Sequence, residues 1–170
     1  MKLTKAVFLD RDGVLNREIG DYVCHVEDFV LNDDVIESLK ILQKNGYIFI
    51  VISNQSGIAK KLYMQIDVEK IHTHFLNIMK KNGINITEIY YCVHHPDVEK
   101  CLCRKPDSLM IEKAIARFNI DVSLSFFIGD KERDVQAGNK VGMKSFLIEP
   151  NSLLMPIVNL ICNNSLFFVH

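Results

Sequence analysis

Ala6-Val7-Phe8-Leu9-Asp10-Arg11-Asp12-Gly13 is a short apolar run that breaks abruptly into two aspartates and a glycine. A run that is apolar at every position, instead of at alternate ones, suits a strand covered on both faces, as in a parallel sheet. Two carboxylates so close in sequence repel each other. The pair makes sense if a divalent cation sits among them, magnesium being the ion that prefers hard oxygen ligands. In a parallel sheet, ligands bind beyond the carboxyl ends of the strands, so Asp10 and Asp12 stand where a site is expected.

Working outward, four more runs rich in β-branched and aromatic residues read as strands, at 48–52, 89–93, 125–128 and 144–148. Helical spacing fills the intervals. Val35, Leu39 and Leu42 precede an Asn45-Gly46 stop; Ile71, Phe75, Ile78 and Met79 precede Asn82-Gly83; Leu109, Ile111, Ala114, Ile115 and Phe118 follow Asp107-Ser108. Alternating strand and helix predicts an α/β three-layer sandwich with a mainly parallel, Rossmann-like sheet. With 170 residues, 48% of them hydrophobic, one domain spanning 1–170 is expected. Its core covers about 5–149, and segments 16–32 and 92–103 are flaps over the site. The tail, 150–170, reads as apolar but irregular, with 166–169 a candidate edge strand.

Each strand end carries chemistry. Ser53-Asn54-Gln55-Ser56-Gly57 offers a hydroxyl and an amide to phosphoryl oxygens, with Gly57 permitting close backbone approach. Arg104-Lys105 before a helix supplies two cations suited to phosphate. Asp130, in Gly129-Asp130-Lys131-Glu132-Arg133-Asp134, would complete a magnesium site begun by Asp10, whereas Asp134 alone is equally explained by complementing a helix dipole.

Cys92, His94, Cys101 and Cys103 form Cys-x-His, six intervening residues, then Cys-x-Cys. Three sulfurs and one nitrogen suit tetrahedral zinc, and four protein ligands leave no open position, so the ion would be structural. It would fix a flap ending at Arg104 and Lys105. His95 is a neighbouring competitor for the nitrogen position. His72 and His74, in a helical stretch, are expected on the surface, and Cys24 and Cys162 as free thiols.

Twenty basic residues against 21 acidic ones leave a formal net charge of −1, giving no reason to expect nucleic acid or a membrane surface as partner. No stretch approaches the roughly 20 apolar residues that cross a bilayer, and the start of the chain lacks a signal-like h-region. The cytoplasm is the expected location. The oligomeric state is left open, a monomer being compatible with everything above.

Asp10-x-Asp12 within Phe8-Leu9-Asp10-Arg11-Asp12-Gly13-Val14-Leu15-Asn16, then Ser53-Asn54, then Lys105, then Gly129-Asp130 with Asp134, resembles the four ordered motifs of the haloacid dehalogenase superfamily of phosphatases. The resemblance covers roughly 5–149. Asn54-Gln55-Ser56-Gly57-Ile58-Ala59, Tyr90-Tyr91-Cys92-Val93-His94-His95-Pro96 and Cys103-Arg104-Lys105-Pro106 are similar to the branch that includes heptose-bisphosphate and histidinol-phosphate phosphatases, which lack a large cap. The resemblance implies a minimal cap and His94 as the zinc nitrogen. It implies Asp10 as nucleophile and Asp12 as acid and base, with magnesium on the Asp10 and Asp130 carboxylates and the Asp12 carbonyl. Ser53, Asn54 and Lys105 would bind the phosphoryl group. Arg104, Lys131 and the loop Glu18, Ile19, Gly20 and Asp21 would contact the rest of a small phosphorylated metabolite.

The motif details favour a heptose bisphosphate as substrate. The six-residue interval of the zinc loop leans towards histidinol phosphate, and Lys60-Lys61 departs from the Arg-Gly usual in the heptose enzymes. Two other classes compete: a receiver-like phosphoacceptor module, and a zinc-stabilised binding domain without catalysis.

Overall fold

The computed structural model describes residues 3–164. Strands and helices alternate as β1 (Ala6–Leu9), α1 (Val35–Lys44), β2 (Ile48–Asn54), α2 (Gln65–Lys81), β3 (Ile86–Cys92), α3 (Leu109–Phe118), β4 (Phe126–Gly129), α4 (Glu132–Lys140), β5 (Lys144–Leu147) and α5 (Met155–Asn164). The five strands form one parallel sheet in the order β3-β2-β1-β4-β5. Strand order reverses at β1, so the crevice for a ligand opens between the ends of β1 and β4.

The uninterrupted apolar runs reflect two covered faces. Val7, Leu9, Phe49 and Val51 pack with Leu39, Leu42, Ile71 and Phe75 of α1 and α2. Ala6, Phe8, Ile50 and Ile52 face the other way, among Met110, Ile111 and Ala114 of α3 and Ala137 of α4. The three-layer expectation is met.

Several boundaries differ from the sequence reading, β3 for one beginning at Ile86 and not at Ile89, and two of the differences matter most. β2 runs on through Ser53 and Asn54, so this pair is held by the sheet, paired with Tyr91 and Cys92, and not by a turn. The tail is not irregular up to residue 164: α5 lays Val158 and Ile161 into the core beside α1, and the Asp34 carboxylate accepts the Leu154 and Met155 N–H groups at 3.0 and 2.7 Å. Pro156 lies in its first turn, where a missing N–H breaks no intrahelical bond. The candidate edge strand at 166–169 lies outside the described residues. Among those described, no helix is long and apolar enough to cross a membrane.

Segment 16–32 is pinned over the crevice rather than free. Val23 and Phe29 are buried in the core, and Asn32 Nδ2 donates to the Gly13 and Val14 carbonyls at 3.2 and 3.0 Å.

Candidate active site

Four strand ends converge on the side chain of Lys105, which is fully buried. Its ammonium lies 2.9 Å from Asp10 Oδ1 and 2.7 Å from Asp134 Oδ1, and donates to the Ile52 carbonyl at 2.7 Å. Two carboxylates and one carbonyl thus surround the ammonium, the condition under which a lysine tolerates burial. Asn54 holds the backbone at this point: Nδ2 donates to the Lys105 carbonyl and Oδ1 accepts from the Lys105 N–H, both at 3.1 Å. Asn54 also lines the cavity, yet its amide is engaged in fixing Lys105.

Asp134 is the residue whose place the sequence left ambiguous. It is fully buried, its Oδ2 accepts the Lys131 N–H at the start of α4 at 3.0 Å, and its Oδ1 braces Lys105. Helix capping and charge pairing are both met by one carboxylate.

Asp10, Asp130 and Asp134 bring one carboxylate oxygen each within 4.8 Å of one another. Burial pushes Asp10 up to about 7, against the pull of Lys105 and with Asp134 adding to the rise. Burial also raises Asp130. Neither Asp130 oxygen has a hydrogen-bond partner among the described residues, although the Lys131 ammonium stands 3.1 Å from Oδ2. Three crowded acids around one buried lysine need more positive charge, and an oxygen-only donor set fits a hard cation such as magnesium. Gly13 makes the meeting possible: at φ +83°, its missing Cβ would lie 2.4 Å from Asp130 Oδ2.

Asp12 stands to one side, partly open to the cavity. Arg11, itself buried, reaches both its oxygens, with Nε at 3.1 and 3.2 Å and Nη2 at 3.0 and 2.9 Å. Asn16 Nδ2 and Gln55 Nε2 each donate to it at 3.0 Å. Burial pushes the Asp12 carboxyl up, but Arg11, Asn16 and Gln55 outweigh it and hold the group below the usual carboxylate range. Ser53 is buried at the end of β2, where its Oγ accepts from Gln55 Nε2 at 2.8 Å.

The cavity above these groups measures about 460 Å³. Glu18, Gly20 and Asp21 are on its wall; Ile19 is half exposed and is not. Arg104 and Lys131 line it as expected, and Lys60, Arg133 and His95 join them. Arg11 and Gln55 were missed as site residues; the only signal for either was its place inside a motif, between two aspartates and after Ser53-Asn54.

The four soft ligands also meet. Cys92 Sγ lies 3.4 Å from His94 Nδ1, 3.7 Å from Cys101 Sγ and 3.0 Å from Cys103 Sγ, and His94 Nδ1 lies 3.2 Å from Cys103 Sγ. All four atoms fall within 4.8 Å of one another, so the cluster is shaped to hold a metal ion. Burial raises the Cys101 thiol, but the backbone N–H groups of Arg104 and Cys103 outweigh it and leave this sulfur low. Arg104 Nη1 donates to the His94 carbonyl at 3.2 Å, coupling the cluster to the cavity wall. His95 turns its Nδ1 to the Asp97 N–H instead, at 3.2 Å.

One histidine expectation fails. His72 is buried, its ring against Tyr91 at 5.1 Å, because the inner face of α2 runs through Val68, Ile71, His72, Phe75 and Met79. His74 is half buried, edge-on to Phe29.

The family model described as polynucleotide kinase 3 phosphatase matches residues 7–145. A D-glycero-alpha-D-manno-heptose-1,7-bisphosphate 7-phosphatase from Photorhabdus laumondii is 37% identical over 175 residues, covering 97% of this chain and 94% of that protein. A D-glycero-beta-D-manno-heptose-1,7-bisphosphate 7-phosphatase from Helicobacter pylori is 40% identical over 163 residues, covering 94% of this chain and 92% of that one. The chain belongs to the haloacid dehalogenase phosphatases.

This phosphatase also shares its fold with the crystal structure of D,D-heptose 1,7-bisphosphate phosphatase from B. bronchiseptica complexed with magnesium and phosphate. The TM-score is 0.80 at 28% identity, covering 85% of this chain and 80% of that chain. Magnesium in that relative agrees with the oxygen-rich carboxylate cluster of this phosphatase.

Proposed function

We propose that this phosphatase removes the 7-phosphate of D-glycero-D-manno-heptose 1,7-bisphosphate through an aspartyl phosphate on Asp10. The strongest support is the arrangement of Asp10 against Lys105, opening on a cavity whose wall carries Lys60, Arg104, Lys131 and Arg133. Four cations on this wall suit a substrate with a second anionic group, and the volume lies in the range of small-metabolite sites.

Asp10 Oδ1 is engaged by the Arg11 N–H at 2.7 Å and by Lys105, which orients Oδ2 as the oxygen that attacks phosphorus. As the new P–O bond forms, the bond to the sugar oxygen breaks and Asp12, which Arg11, Asn16 and Gln55 otherwise hold ionised and which therefore enters this step in its minor protonated form, gives that oxygen a proton. Water then attacks the aspartyl phosphate, Asp12 takes its proton, and inorganic phosphate leaves Asp10 regenerated. Ser53 and Lys105 bind the transferring phosphoryl oxygens: Ser53 Oγ already accepts from Gln55, which leaves its own proton to donate. Asn54 serves them indirectly by fixing Lys105. The Asp10 and Asp130 carboxylates and the Asp12 carbonyl would hold magnesium, which supplies charge neutralisation between nucleophile and phosphate. Cys92, His94, Cys101 and Cys103 would hold a structural zinc that stiffens the approach to Arg104 and Lys105.

Phosphate release across both anomers of the heptose bisphosphate, histidinol phosphate and simple sugar monophosphates, with and without magnesium, tests the reading. The highest kcat/KM is expected for a heptose bisphosphate, and only with magnesium. A higher value for histidinol phosphate would replace the substrate, and no release from any compound would overturn the reaction.

A further inference from the structure

Tyr63 belongs to none of the strand-end motifs; it lies in the loop between β2 and α2. It is nonetheless buried, and its hydroxyl donates to Gln55 Oε1 at 3.0 Å. Gly57 is a glycine on its account. A Cβ there would sit 2.1 Å from the Tyr63 ring, so the space expected for a phosphoryl group is filled by tyrosine. The far side of the ring system continues into the flap, where Tyr22 stacks edge-on at 5.6 Å.

What Tyr63 touches matters because of what Gln55 touches. One amide nitrogen, almost wholly buried, donates to Asp12 Oδ2 at 3.0 Å and to Ser53 Oγ at 2.8 Å. A side-chain amide has two orientations, and the reversed one would set its carbonyl oxygen against the Asp12 carboxylate. The Tyr63 hydroxyl, bonded to Oε1 at the opposite end, favours the productive orientation. Burial pushes this phenol up to about 12, so it keeps its proton and stays a donor. Arg11 grips Asp12 from another side, which leaves the carboxyl bracketed.

We infer that Tyr63 is a positioning residue of this phosphatase: acting through the Gln55 amide, it fixes the carboxyl of Asp12 relative to the phosphoryl-binding hydroxyl of Ser53. The inference rests on Asp12 as the acid of the proposed reaction.

An alkyl phosphate needs its departing oxygen protonated, whereas 4-nitrophenyl phosphate releases a weakly basic phenolate that needs little help. The ratio of their single-turnover cleavage rates therefore reads the acid and not the general health of the site. Tyr63→Phe keeps the ring against Gly57 and Tyr22, and is expected to lower the alkyl-to-aryl ratio about tenfold while moving KM by no more than about twofold. Because Tyr63 works through Gln55, adding Tyr63→Phe to Gln55→Met should lower the ratio no further. An unchanged ratio in Tyr63→Phe, or additive losses in the double variant, overturns the inference. Asp12→Asn separates the two layers. If it collapses the ratio and Tyr63→Phe does not, the positioning role alone falls; if it leaves the ratio intact, the assignment of Asp12 falls and takes this role with it.

Discussion

Two clusters among the described residues are shaped for cations, and they are built in opposite ways. Cys92, His94, Cys101 and Cys103 come from the end of one strand and the loop that follows it, whereas Asp10, Asp130 and Asp134 come from the ends of β1 and β4 and the first turn of α4. The soft cluster closes by folding one loop. The hard cluster exists only after the sheet has set β1 beside β4. Their occupancy by protein groups differs too: four side chains complete the soft set, while the hard set leaves the Asp130 carboxylate without a hydrogen-bond partner among the described residues and faces a cavity. A closed set supports structure and an open one supports chemistry. The two are joined through Arg104, which donates to the His94 carbonyl at the cavity wall, and through the next residue, Lys105, whose ammonium enters the hard cluster.

The sharpest way to break this contrast is to disable one cluster and watch the other. Asp10→Asn should cut turnover by on the order of 10⁴-fold or more, since it removes the atom that bonds to phosphorus. Its thermal midpoint should not fall, because the substitution removes a buried carboxylate held up near 7. Activity assays and calorimetry on the same preparation check both halves, and a variant that unfolds would erase the distinction.

Cys101→Ser should do the reverse. About one zinc per chain is expected by metal analysis of the parent, absent from the variant, with a stability loss of about 4 kcal/mol, or roughly 12 °C in Tm. Freshly purified protein lacking zinc, or a variant as stable as the parent, would remove the structural assignment.

The smallest effect concerns His72, which lies between the two regions: its ring packs on Tyr91, next to Cys92, and it feels the charges of Arg11 and Asp12. Burial lowers its pKa from 6.5 to about 4. Between these values the unfolded chain binds a proton that the folded protein refuses. Stability from this group is therefore intact above 6.5, falls as pH drops through the window, and is lost by at most about 3 kcal/mol near pH 4. Denaturant unfolding at pH 7 and pH 4.5 should show His72→Phe losing less stability on acidification than the parent; equal losses would place the acid sensitivity elsewhere.

The same contrast explains what could be read before folding. Cysteine and histidine spacing is local, so the soft cluster was legible from one stretch of sequence. The strands were legible because a parallel sheet buries both faces and leaves uninterrupted apolar runs. Asp10 and Asp130 were legible as residues that follow such runs. Asp134 taken alone was not, outside the motif it shares with Gly129 and Asp130, because a carboxylate in a helix's first turn looks the same whether it caps the helix, braces a lysine or does both. His72 misled for a related reason: helical periodicity tells which residues share a face, but the burial of a polar member depends on what packs there, here Tyr91. Helix α5 was hidden by the proline in its first turn and by an apolar pattern too short to count without Asp34 to receive it.

Sequence alone therefore determined the sheet class, the residues at the strand ends and the cysteine-histidine cluster, all of which follow from hydrophobic pattern and spacing along the chain, while the choice of His94 over His95 rested on the family resemblance. Tertiary structure decided which partner each polar group meets: Asn54 on the Lys105 backbone, Asp134 under Lys105, Gln55 between Asp12 and Ser53, and Tyr63 in the space left by Gly57. Hydrogen bonds and ion pairs are settled over a few ångströms in space, between residues whose separation in sequence carries no trace of it.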